Sequence, residues 1–144
     1  MLSLIIMALA LADQTAPVPA APSVAPSVDG VWSNPAGSVQ VRTGKCSDKI
    51  CGWIVWASLK AQEDARKKGV SQLIGTALLR SYHETNRGHW AGQVYVPDMQ
   101  STFYSTITMV DPQTLNIKGC ILGGLLCKAQ IWRRVASPAA MATR

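Results

Sequence analysis

Thr102-Phe103-Tyr104-Ser105-Thr106-Ile107-Thr108-Met109 is the stretch that decides the fold. Phe103, Ile107 and Met109 fall on one side of an extended chain, and Thr102, Tyr104, Thr106 and Thr108 fall on the other. A period of two, carried by β-branched and aromatic residues, describes a strand with one face turned to a core. Runs of the same kind recur on either side, separated by Gly, Pro, Asn and Asp. They predict strands near Gly30–Ser33, Ser38–Thr43, Cys51–Ser58, Ala77–Ser81, Trp90–Val96, Thr114–Gly119 and Lys128–Val135. Asn34-Pro35-Ala36-Gly37, Pro97-Asp98-Met99-Gln100 and Asp111-Pro112-Gln113 are turn signals between neighbours. Consecutive strands joined by tight turns form an antiparallel meander.

One helix interrupts this series, over Leu59 to Lys68. Ser58 is placed to cap it and Gly69 to end it. Glu63 and Asp64 precede Arg66, Lys67 and Lys68, the order that the helix dipole favours. The three consecutive basic residues read as a solvated last turn. About eight strands and one short helix predict an all-β fold, an antiparallel up-and-down barrel whose closure removes exposed edges. A flattened sandwich is the other arrangement these strands allow.

The chain has 144 residues, room for one ordinary domain. Apolar residues make up 48% and charged residues 15%, which excludes a disordered or collagen-like protein. Lys and Arg number 14 against 8 Asp and Glu, a net charge of +6. The basic residues are scattered and the aromatics are core-type Trp, so no nucleic-acid partner is indicated.

Leu2 to Ala12 is an apolar run broken by Ser3. It is shorter than the roughly 20 residues that span a bilayer, so no transmembrane segment is expected. It fits the apolar core of a signal peptide over residues 1–12, with Ala10-Leu11-Ala12 as the cleavage signal before Asp13. No Lys or Arg precedes the run. Residues 13–27, rich in Pro and Ala, read as a disordered spacer. Residues 137–144 read as a disordered tail, which leaves a folded domain over 28–136. Periplasmic or secreted localisation follows. Cys46, Cys51, Cys120 and Cys127 all fall inside the domain, an even count that reads as two disulfides in an exported protein. Their spacings do not suit zinc, which favours C-x2-C pairs. Each pair flanks a predicted hairpin turn, which predicts the local pairing Cys46–Cys51 and Cys120–Cys127.

Four blocks carry a family resemblance. Cys46-Ser47-Asp48-Lys49-Ile50-Cys51-Gly52-Trp53-Ile54-Val55-Trp56 is similar to a C-x4-CG-x-IVW signature. Trp90-Ala91-Gly92-Gln93-Val94-Tyr95-Val96-Pro97 is similar to W-x-G-x-[IV]-[YF]-x-P. Leu115-Asn116-Ile117-Lys118-Gly119-Cys120 resembles L-x-[IV]-x-GC, and Cys127-Lys128-Ala129-Gln130-Ile131-Trp132-Arg133-Arg134 resembles C-x-x-Q-x-W-x-R. In this order they resemble the domain of unknown function 2147 family (DUF2147), small exported bacterial proteins, over Gly30 to Val135. Many relatives carry an Asp-x-x-Asn-Pro-Asp stretch where Asp64-Ala65-Arg66-Lys67-Lys68-Gly69 stands here, so no site on that loop is carried over. The resemblance implies a lipocalin-like (calycin) barrel and supplies no reaction. Gly30-Val31-Trp32 looks like the lipocalin G-x-W, and Arg134 resembles the arginine that lies across that tryptophan to close the barrel base.

No catalytic constellation stands out. His83, Glu84 and His89 lie in a polar stretch, Tyr82 to Gly88 and its border, that reads as a solvated loop rather than a metal site. Asp64, Asp98 and Tyr104 are the other titratable candidates, and Gly123-Gly124 reads as a hairpin turn and not a dinucleotide motif. G-x-S-x-G is absent and no cofactor is implied. The expected function is non-catalytic: a small apolar molecule held inside the barrel by Trp53, Trp56, Phe103, Ile107, Met109 and Ile131. The alternative is a structural or interaction protein of the cell envelope whose barrel is filled by its own side chains. The sequence does not set the oligomeric state.

Overall fold

A computed structural model of the chain describes residues 14–19 and 27–136. The expected signal peptide, most of the spacer and the tail fall outside these residues. Residues 14–19 are exposed and carry no regular structure. The domain is a closed barrel of eight strands in sequence order, all neighbours antiparallel. The strands are β1 (Gly30–Ser33), β2 (Val39–Cys46), β3 (Lys49–Ala57), β4 (Ala77–Asn86), β5 (His89–Val96), β6 (Ser101–Asp111), β7 (Thr114–Ile121) and β8 (Leu126–Arg134). A single helix, α1 (Leu59–Lys67), joins β3 to β4.

Up-and-down order gives the barrel two unlike ends. The base holds the start of β1, the end of β8 and the turns β2–β3, β4–β5 and β6–β7. The rim holds the turns β1–β2, β5–β6 and β7–β8 and the crossover through α1.

Local chemistry explains most of these boundaries. The Asn34 carboxamide oxygen accepts from Ser38 N at 2.9 Å and Val39 N at 3.0 Å, which folds the β1–β2 turn around its own side chain. The Ser58 hydroxyl accepts from Ala61 N at 3.0 Å and starts α1. The helix ends where Gly69, at φ +88°, turns the chain, with Gly69 N donating to Arg66 O and Val70 N to Ala65 O. That pair of bonds is a Schellman cap. Ala65 and Leu73 are buried, and Ala61 and Val70 pack against the same core.

One segment departs from the sequence reading. Tyr82 to Asn86 continues β4 instead of forming a polar loop, and a tight turn at Arg87-Gly88 leads into β5. His83 and Glu84 are exposed strand residues opposite Ala91 and Trp90, and His89 opens β5. Polarity in this stretch reflects solvent around the end of a hairpin, which a strand tolerates as well as a loop does.

Both bridges are local: Cys46–Cys51 with Cα atoms 5.7 Å apart, and Cys120–Cys127 at 4.1 Å. They are not equivalent. Cys120 and Cys127 are directly opposed across β7 and β8. Cys51 instead faces Gly44, and Cys46 faces Lys49, so the first bridge runs diagonally over its turn. The two staples sit at opposite ends of the barrel.

Candidate functional site

The lumen is the first place to look for a site, and it is built from small and large residues in alternation. Gly92 shows why. A Cβ there would lie 2.6 Å from Tyr82 Cγ and 2.8 Å from Arg80 O, so the Tyr82 ring occupies the space that Gly92 leaves. Trp32, Tyr82, Ile54, Leu79, Ile107, Leu115, Val41 and Ser105 are the largest side chains with essentially no solvent contact. Together they pack the interior.

Two polar atoms in this interior have no partner: the Tyr82 hydroxyl and Ser105 Oγ. Burial pushes the Tyr82 phenol well above its ordinary range, and the nearby Ser105 hydroxyl acts weakly in the opposite sense. The two hydroxyls make no hydrogen bond to each other or to any other group among the described residues.

The expected lining residues separate into two groups. Phe103, Ile107 and Met109 share the inward face of β6 with Ser105, and Ile107 is fully buried. Trp53, Trp56 and Ile131 are placed differently. Gly52 and Ile54 are the buried positions of β3, so Trp53 points outward opposite exposed Arg42. The register shift between Gln40 and Val41 then re-phases the strand: Ala57 is buried and Trp56 is 40% exposed. On β8 the inward position belongs to Trp132, which leaves Ile131 outside and 41% exposed.

The base is closed by a concentrated polar arrangement around Trp32. The Arg134 guanidinium lies 4.2 Å from the Trp32 ring. Its fork donates to Pro112 O at 2.8 Å, Asp29 O at 2.8 Å and Ser27 O at 2.7 Å. Thus one cation ties the first strand, the β6–β7 turn and the chain before β1 together. Gly30 makes room for it, because a Cβ there would overlap Arg134 Nη1. Beneath the arginine, Trp32 Nε1 donates to Val28 O at 2.9 Å, and the Thr43 hydroxyl donates to the same carbonyl at 2.5 Å.

At the rim, α1 covers one side and the β8 side is open. β1 meets β8 through only two residue pairs, Trp32 with Arg134 and Ser33 with Arg133. From Leu126 to Ile131, β8 has no β1 neighbour, and each of these residues is exposed. At the β7–β8 turn Leu122, Leu125 and Leu126 are 71%, 88% and 59% exposed. Two surface hollows stand out, of about 430 Å³ beside Pro35 and Ile131 and about 290 Å³ between Arg66 and Leu73. Neither opens onto Phe103, Ile107 or Met109.

No acid–base site emerges from the titratable candidates. Asp64 is bound to Lys60 on the surface of α1, which holds its carboxyl below the usual range. His89 Nδ1 contacts Thr108 Oγ1 at 3.3 Å. Among the described residues no three His, Cys, Asp or Glu side chains gather in one place. No described helix is long and apolar enough to cross a membrane.

Sequence reasoning missed Thr43, Tyr82 and Ser105, whose roles depend on which residues face them across the barrel. It also passed over Leu122, Leu125 and Leu126. Their signal was present: apolar residues inside a glycine turn, where solvent normally selects polar ones.

Comparison with known proteins agrees with this architecture. No curated protein matches the chain. A solved structure from Helicobacter pylori, protein HP1028, described as belonging to the lipocalin family, superimposes with a TM-score of 0.61. The match covers 81% of this chain and 88% of that one at 12% identity, a likeness of fold alone. Residues 30–134 match the model of a family described as uncharacterized protein conserved in bacteria, and the chain therefore belongs to the DUF2147 family.

Proposed function

We infer that this protein is a non-catalytic interaction module of the bacterial envelope, a barrel filled by its own side chains that presents its rim to a partner. The packed lumen carries this reading: the space a ligand would need is taken by Trp32, Tyr82, Ile54, Leu79 and Ile107. Export is supported by two disulfides, which persist in oxidising compartments, and by the apolar run ending in Ala10-Leu11-Ala12. N-terminal sequencing of envelope-purified protein should then begin near Asp13, and an intact Met1 would count against it. Native mass spectrometry tests the filled barrel. The expected mass is that of the polypeptide alone, and a stoichiometric co-purified molecule would overturn the reading.

A second reading is favoured by one observation, the unpartnered Tyr82 and Ser105 hydroxyls beside half-buried Phe103 and Val94. A small apolar molecule carrying one polar group would satisfy them from the rim. It requires saturable quenching of tryptophan fluorescence by hydrophobic ligands.

A further inference from the structure

The rim gathers exposed leucines and unpaired cations on neighbouring turns. Leu122, Leu125 and Leu126 form an apolar tip, and Met99, on the adjacent β5–β6 turn, is 60% exposed. The tip is not a loose loop: the opposed Cys120–Cys127 bridge clamps its two strands directly beneath it. Below it, Lys118 on β7 and Lys128 on β8 lie on opposite faces of the hairpin. Lys68, whose carbonyl accepts from Gln100 Nε2 at 2.9 Å, is held beside the β5–β6 turn. Among the described residues none of these three lysines has an acidic partner, whereas Lys60, Lys67 and Lys49 do. Asp98 is the one acid on the two turns.

Isolated exposed leucines need no explanation, but three on one clamped tip expose apolar side chains together. Apolar residues with unpaired lysines nearby match an anionic bilayer surface, where acyl chains take the leucines and phosphates take the ammonium groups. We propose that the β7–β8 tip inserts into the headgroup layer of an anionic membrane, with Leu122, Leu125 and Leu126 as the inserted side chains and Lys68, Lys118 and Lys128 as the electrostatic collar. This rests on the interaction-module reading and names its partner as a lipid surface. A protein groove is the competing occupant. It accommodates the leucines equally but gives no reason for the lysines beside them.

Vesicle flotation tests it, with the whole chain and vesicles of phosphatidylcholine with or without phosphatidylglycerol. The unaltered protein should partition preferentially to phosphatidylglycerol vesicles and lose that preference in high salt. The double variant Leu122→Ser, Leu125→Ser should bind about tenfold or more weakly. Lys68→Gln and Lys128→Gln should each weaken partition by about fivefold on the anionic vesicles only. These side chains are exposed, so melting temperature should be unchanged, which separates lost binding from lost folding. Equal binding by the leucine double variant, or no difference between the two vesicles, would overturn the proposal. No vesicle binding by a ligand-free barrel refutes the lipid partner while sparing the module reading; a bound small molecule refutes the latter alone.

Discussion

The base and the rim of this barrel are made from the same hairpins yet solve opposite problems. At the base, Trp32, Thr43 and Arg134 satisfy one another and the carbonyls of Ser27, Val28, Asp29 and Pro112. Few polar groups are left over there. At the rim, β8 outruns β1 and the β7–β8 tip offers leucines to solvent. Satisfied polar groups are concentrated at one end and exposed leucines at the other. The lesson is that a closed barrel does not distribute its energetics evenly; whichever end is plugged frees the other to be adapted.

Substitutions can break or sharpen this contrast. Trp32→Ala should have the largest effect, about 3–5 kcal/mol, because it empties the plug, takes the ring from beneath Arg134 and removes the indole donor to Val28 O and Thr43. Chemical denaturation measures it, and a loss under 1 kcal/mol would mean that the base is not the keystone. Replacing Cys120 and Cys127 by Ser should cost about 2 kcal/mol through the entropy of a short loop, read as a lower melting temperature. That variant loosens the rim and leaves the base intact.

Arg134→Ala should cost about 1–2 kcal/mol. Arg134→Lys should recover less than half, since one ammonium cannot reach three carbonyls. Full recovery by lysine would reduce the arginine's role to charge alone. Tyr82→Phe probes the middle of the barrel. Its buried phenol has a raised folded pKa, so the stability it contributes is present below its ordinary pKa of 10.0 and is lost as pH climbs above it. The variant should therefore lose less stability than the parent between pH 10 and 11, by up to about 1 kcal/mol. Identical alkaline profiles would place the phenol in contact with water.

The smallest effect belongs to the tip. Leu125→Ser should change stability by less than about 0.5 kcal/mol, because a leucine 88% exposed loses little when truncated. A larger loss would show that the rim leucines are structural after all.

Much of this molecule was legible beforehand. Alternation in Thr102 to Met109 gave the strand and its inward face, because a side-chain period of two depends only on local backbone geometry. Ser58 and Gly69 announced the helix ends for the same reason. The local disulfides followed from cysteines bracketing short turns. The site was less legible. Trp53 and Trp56 read as interior because they are tryptophans, but the buried Gly52 and Ile54, and the extra residue that β3 carries between Ile54 and Trp56, set the phase. Register is a property of two strands, and one strand's sequence does not contain it.

By itself the sequence determined the order of the elements and the two staples, which rest on short-range spacing, and its four motif blocks carried the family resemblance. Only the tertiary structure decided that Tyr82 fills the space above Gly92, that one arginine gathers three carbonyls from two distant segments, and that β8 keeps a free flank beside a leucine tip. Those facts depend on which residues closure brings together from distant parts of the chain, and on where the short β1 stops covering β8.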